Sequence, residues 1–295
     1  MFCIDLLYLP QCVLQAYPSV MPPAHKVCVF CGLSKKMTSE HVWGEWTKGY
    51  VERTANKHNH ANVFVPKPGQ PEPAQVRIRA GDHLDAQVRI VCSDCNSGWL
   101  SRIQNGAKPI LIPLFEGAKL SLDQPAQQRV AAWVAMATMT GEYLSGDQAR
   151  VAIPQSDRTW LMEKGTPPPG WCIWIGHYPR QQNPTQWVKA SFPVANVDEL
   201  PETPTAEDLA PTMQTTAFSV GDLFAFAMSC HFAEIPMGWD WRTAPEARNL
   251  LKPIWPPHSG EINWPSPPMS DNDAQSISAS VVRYFEDFAI RLQNR

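Results

Sequence analysis

Two pairs of cysteines, Cys28-x2-Cys31 in VCVFCG and Cys92-x2-Cys95 in VCSDCNSGW, constrain this chain more than any other feature. Each C-x2-C forms a chelating turn, and two such turns brought together offer four thiolates for a tetrahedral zinc ion at about 2.3 Å per bond. To meet, the chain between them must fold back on itself, so the first third is predicted to be a zinc-stapled unit. Paired knuckles favour zinc over disulfides in a reducing compartment. Of the remaining cysteines, Cys3 and Cys12 lie in an apolar opening, while Cys172 and Cys230 stand alone in apolar runs and read as buried thiols.

That opening, MFCIDLLYLPQCVLQAYPSV, has no Lys or Arg before Lys26 and is interrupted by Pro10 and Pro18. It lacks the basic start of a signal peptide and the length of a spanning helix. A cytoplasmic protein with no membrane partner is therefore expected, with residues 1–24 as an apolar leader or extension and Met21 as an alternative start. Charge is unevenly shared across the net −3. From Ala24 to Phe115 twelve basic residues face seven acidic ones, +5, whereas the rest carries 13 against 21, −8. The first third is thus the part suited to a polyanion.

The 29 Pro and 12 Trp argue for rigid turns and edge strands around large aromatic anchors, and against a helix bundle. VCVFCG reads as a short strand turning through a knuckle, with Gly32 supplying the left-handed conformation that ends it. Residues 50–86, with four prolines and the alternating VRIRA, read as an inserted hairpin. AQVRIV is a strand entering the second knuckle. CNSGWLSRIQNGA is a helix, capped by Asp94 and ended by Pro109. Beyond Gly117 the character changes: residues 125–144 read as a buried helix of about five turns. WCIWIGHY, WVKASFPV and TTAFSVGDLFAFAMSC read as antiparallel strands, the last run hinged at Gly221-Asp222. A terminal amphipathic helix carries Ile277, Val281, Tyr284, Phe285 and Phe288 on one face. The organisation expected is a zinc-binding domain over 25–118 and an α+β accessory domain over 119–295, with antiparallel sheet and at least two helices. His58 and His60 read as an exposed loop, and the Trp- and Pro-rich stretch at 254–265 as sheet-edge packing.

Between the knuckles lies Glu40-His41, a carboxylate that can hold a hard divalent cation beside an imidazole that can deprotonate water. A knuckle, then E-H, then a second knuckle followed at once by Asn96 resembles the HNH endonuclease family in its four-cysteine form, within a subgroup patterned E-H-V-x-x-x-W and C-x-x-C-N-x-x-W. The resemblance covers residues 27 to about 105. It implies a treble clef around structural Zn²⁺ with a ββα-metal unit. It further implies His41 as general base, and Glu40 and Asn96 as ligands of a catalytic Mg²⁺ or Mn²⁺. Trp99 would brace the face carrying Asn96. The family's middle Asn is absent; Gln87 stands near its place, and His83 and Asp85 are further candidates to orient His41. The partner implied is nucleic acid, with DNA as first expectation, and a homodimer would serve to nick both strands. Lys35, Lys36, Lys48, Arg89 and Arg102, with Arg53, Arg77 and Arg79, are the candidate phosphate contacts. The alternative is a zinc module that has lost turnover and acts as a nucleic-acid or protein adaptor.

Overall fold

A computed structural model describes residues 13–14, 27–51, 57–64, 75–80, 83–145, 151–179, 187–193, 210–230, 247–257 and 259–280. Their architecture is mixed α+β. Eight strands form the large sheet. In sheet order these are β1 (Val13–Leu14), β4 (Gln75–Ala80), β3 (Lys57–Phe64), β8 (Trp187–Phe192), β9 (Met213–Val220), β10 (Leu223–Cys230), β7 (Trp171–His177) and β11 (Leu251–Trp255). Pairing is antiparallel except at β1·β4 and β3·β8. Two small ribbons complete the strands: β2 (Met37–His41) with β5 (Gln87–Cys92), and β6 (Leu120–Leu122) with β12 (Ile262–Trp264).

β9 and β10 are buried at every position. Both faces of the sheet are covered there; β10 runs nearly apolar, while β9 buries Gln214, Thr215, Thr216 and Ser219 among its apolar residues. On one face, helix α3 (Gln124–Gly141) lays Trp133 against Phe218, which stacks in turn on its cross-strand partner Trp187. On the other, Ala217, Phe224, Phe226 and Met228 pack with Ile277 of the final helix, 271–280. The hairpin turn falls at Gly221-Asp222 as the sequence suggests. Cys172 and Cys230 are buried. Residues 281–295, with most of the terminal apolar face, lie outside the described residues, as do Cys3, Cys12 and Arg53.

Four sequence expectations need correction. Asp94 does not cap the helix after the second knuckle: it lies inside the first turn, behind Cys92 at the N-cap, and pairs with Lys35. Residues 28–32 form a hydrogen-bonded turn, closed by Gly32 N–H donating to the Cys28 carbonyl, and not a strand. Gly32 does take the left-handed conformation. His58 and His60 belong to β3, a strand rather than a loop. Pro109 does not end the helix after the second knuckle. Helical residues α1 (Ser93–Cys95) run through a wider π-turn, Asn96–Leu100, into α2 (Ser101–Phe115), which contains both Pro109 and Pro113. Each proline removes one backbone donor. Burial of Ala107, Leu111, Leu114 and Phe115 against α3 outweighs that loss.

The inserted segment 50–86 does form an antiparallel hairpin, β3 with β4, and β3 also pairs with β8 of the large sheet. Trp43, just after β2, inserts among Trp133, Trp187 and Phe218, so the aromatic core draws on both halves of the chain. Its indole N–H donates to the His83 carbonyl.

A buried ion pair forms a second tie. Glu142, at the end of α3, accepts from the backbone N–H of Ala152 and Ile153 and pairs with Arg158 of α4 (Gln155–Lys164). Arg158 also donates to the Met139 carbonyl and lies over the rings of Tyr143 and Phe30. Phe30 belongs to the first knuckle, and its carbonyl accepts from Gln155. Replacing one member of such a pair strands the other's charge in the interior. Arg158→Met is expected to cost about 3–5 kcal/mol of unfolding free energy in urea denaturation, and Glu142→Gln/Arg158→Met distinctly less, because the pair is then removed together.

Candidate metal centre and adjoining polar pocket

The two knuckles converge. The sulfur atoms of Cys28, Cys31, Cys92 and Cys95 all lie within 4.8 Å of one another, with Cys31 Sγ and Cys92 Sγ 3.8 Å apart. A tetrahedron with bonds of about 2.3 Å places sulfurs about 3.8 Å apart. The donor set and its spacing therefore fit a metal ion such as zinc. Local chain geometry explains the convergence: the first turn presents Cys28 and Cys31, while Cys92 ends β5 and Cys95 follows in the first helical turn. Val29 N–H donates to the Ile90 carbonyl and Ser93 N–H to the Lys36 carbonyl, which holds the two turns face to face.

The thiols differ in their surroundings. Burial pushes the Cys95 thiol well up; the Trp99 indole N–H opposes this by favouring the thiolate. Burial also raises Cys31. At Cys28 burial acts in the same sense, but backbone N–H groups of Cys31, Cys92 and Phe30 outweigh it, and that thiol is lowered. Trp99 meets Phe30 edge-on at 4.9 Å, closing the apolar side of the cluster.

Beside the cluster, the end of β2, the turn at 44–46 and the helix line a polar pocket of about 340 Å³, with Glu40, His41, Trp46, Asn96, Ser101 and Gln104 among its walls. In a regular strand Glu40 and His41 would face opposite sides. Here both line the pocket, His41 from the last position of β2; the register shift between Thr38 and Glu40 places its extra residue in β5 and leaves Glu40 and His41 opposite Val88 and Gln87. His41 and Gln87 are direct cross-strand partners, and His41 Nε2 lies 2.7 Å from Gln87 Nε2. Which of the two nitrogens donates is set by the imidazole tautomer. Burial holds the imidazole below its usual value; Lys48 adds to this, while Glu45 and Asp85 oppose it. His41 is thus in its basic, neutral form at neutral pH.

Asn96 opens the π-turn and donates from Nδ2 to Thr38 Oγ1 at 3.1 Å and to the Ser39 carbonyl at 3.4 Å, leaving Oδ1 for another partner. Glu40 is 5% exposed, and burial pushes its carboxyl up to about 7, against a hydrogen bond from Gln104. Gln104 Nε2 donates to Glu40 Oε1 at 3.0 Å, and Gln104 Oε1 accepts from the Trp46 indole at 3.1 Å. This bridge is absent from the sequence reading. Gly44 makes it sterically feasible: it has φ +81°, and a Cβ there would stand 2.3 Å from Gln104 Oε1.

Of the three groups considered for orienting His41, Gln87 touches it. Asp85 instead pairs with Lys48 at 2.7 Å, and His83 is buried, with its carbonyl held by Trp43. The candidate phosphate contacts do not gather at the pocket. Lys35 pairs with Asp94, Lys48 with Asp85, and Lys36 and Arg89 are exposed elsewhere. Arg102 is exposed in a second cavity, and no Lys or Arg lines the first. Among the described residues no helix is long and apolar enough to cross a membrane. No family model, curated protein or solved structure matches this chain.

Elemental analysis of purified protein is expected to give about one zinc per chain, and Cys95→Ser to lose it together with cooperative thermal unfolding of the surrounding unit. The Glu40 carboxyl gives a pH signature. Its folded value, about 7, lies above its ordinary 4.5. Its ionisation therefore costs nothing below the ordinary value and destabilises the fold increasingly as pH rises toward 7. Without added Mg²⁺ or Mn²⁺, Glu40→Gln should raise stability at pH 8 by up to about 3 kcal/mol and leave it unchanged near pH 4, measured by urea titration at the two pH values.

Proposed function

We propose that this protein is a metal-dependent phosphodiesterase of the HNH endonuclease type, acting on nucleic acid, with DNA as the first substrate to test. The carrying observation is that Glu40, His41 and Asn96, separated in sequence by up to 56 positions, line one pocket while Gln87 bonds to His41. A two-stranded ribbon, a helix leaving its second strand and four clustered cysteines are the parts expected of a treble clef bearing a ββα-metal unit. Zinc on the four cysteines would be structural.

Glu40 and Asn96 Oδ1 are the groups that would hold a catalytic Mg²⁺ or Mn²⁺. The fit rests on Glu40, whose buried carboxylate has an amide partner but no cation to offset its charge. When bound, the ion supplies Lewis-acid stabilisation of the charge that develops on the phosphoryl and leaving oxygens. His41 would take the proton from the attacking water. Gln87 holds the tilt of the imidazole. Gln104, pinned by Trp46, sets the Glu40 rotamer.

A pocket with Glu40 and Glu45, a neutral His41 and no Lys or Arg repels a phosphodiester by itself. Substrate affinity should therefore depend on the divalent ion, not turnover alone. The same feature favours the second reading, a zinc module acting only as an adaptor. Plasmid nicking separates the two. Activity is expected with Mg²⁺ or Mn²⁺ and none with EDTA. His41→Ala should fall by about 10²–10⁴-fold and Gln87→Ala by about 10–100-fold, with the four-cysteine zinc retained in both. Wild-type rates in the His41→Ala protein would refute the assigned base.

A further inference from the structure

On the side of α2 turned away from the polar pocket lies a second cavity of about 320 Å³, shared by α2, α3 and α4. Ser101, Gln104 and Asn105 face the first pocket; Arg102, Ile103 and Gly106 face the second. At 100° per residue these two sets fall on opposite sides of the helix. The cavity floor is apolar: Trp99 and Leu161 are buried, and Ile103 and Met162 half-buried. Its rim carries Arg102, Arg129 and Lys164, all exposed, against one acid, Glu163. No described carboxylate pairs with these three cations.

We infer that this cavity seats one unpaired nucleotide of the substrate strand, its base on the Trp99, Ile103 and Met162 floor and its phosphate among Arg102, Arg129 and Lys164. An apolar slot rimmed by cations suits a base and its phosphate together, whereas a base held in a duplex could not enter it. The inference rests on the nucleic-acid reading of the first pocket and deepens it. A helix with its side chains is about 10–12 Å across, or about three nucleotides at the spacing of one strand. One strand can then span both cavities, and the second provides the positive charge that the first lacks. The substrate class so defined is nucleic acid with a single-stranded segment beside the cut.

The test uses the full-length chain carrying His41→Ala, so that binding is read without cleavage, with Mg²⁺ and fluorescein-labelled DNA, either blunt duplex or the same duplex with a six-nucleotide single-stranded flank. The flanked DNA is expected to bind more tightly. Adding Arg129→Ala/Lys164→Ala should remove that advantage, about 10–100-fold, and flatten the salt dependence by about one to two in log–log slope. Blunt-duplex affinity and thermal stability should stay unchanged. Unchanged affinity for the flanked DNA, or an equal loss for both DNAs, would overturn the assignment. So would binding of thymidine monophosphate, sensitive to the same substitutions, without binding of the strand. Wild-type nicking separates the two proposals. If nicking occurs but the flank effect is absent, only the second cavity is misassigned; if the flank effect occurs without nicking, only the catalytic reading fails.

Discussion

Four sulfur atoms within 4.8 Å of one another fix the point at which β5 stops being a strand and becomes a helix. That point sets the direction of everything at the polar pocket. Five residues upstream of Cys92, Gln87 faces His41 across the ribbon; one residue downstream of Cys95, Asn96 reaches back to β2. Farther along, Gln104 meets Glu40. The cluster contributes little apolar burial of its own. Its thiols, three of them buried, need a cation to be held as thiolates, and burial alone pushes most of them the other way.

The pocket also leans on the rest of the molecule. Trp43 follows the E-H pair by two residues and is anchored among aromatics of α3 and the large sheet. The first knuckle rests on Arg158, whose charge is met by Glu142. Such buried pairs add specificity of arrangement more readily than net stability. In this protein the pair ties the first knuckle, through Phe30, to α3 and α4.

What the sequence made legible was local. C-x2-C spacing is a property of single turns, and the apolar runs of β7 and β10 announce strands covered on both faces. The turn between β9 and β10 is signalled in the same local way, by the pair Gly221-Asp222. Register was less accessible. Gln87, His83 and Asp85 could not be ranked without the cross-strand alignment that sets Gln87 opposite His41. Gln104 was missed because it lies eight residues past Asn96, beyond a π-turn that shifts the helical phase; the only hint was Trp46 in EHVWGEW, a large donor in need of a partner. Pro109 misled because tertiary burial of α2 overrode a local stop signal. The parallel union of β3 with β8 joins segments more than 100 positions apart and has no local signature.

That union bears on the order of folding. Pairing β2 with β5 closes a loop of the 45 residues between His41 and Gln87, and β3 within that loop is stitched to β8, which the ribosome delivers about 100 residues after β5. Contacts of such long sequence separation form late and slowly. A metal ion bridging the two knuckles would hold both ends of that loop together, and so would lower the entropy cost of closing it.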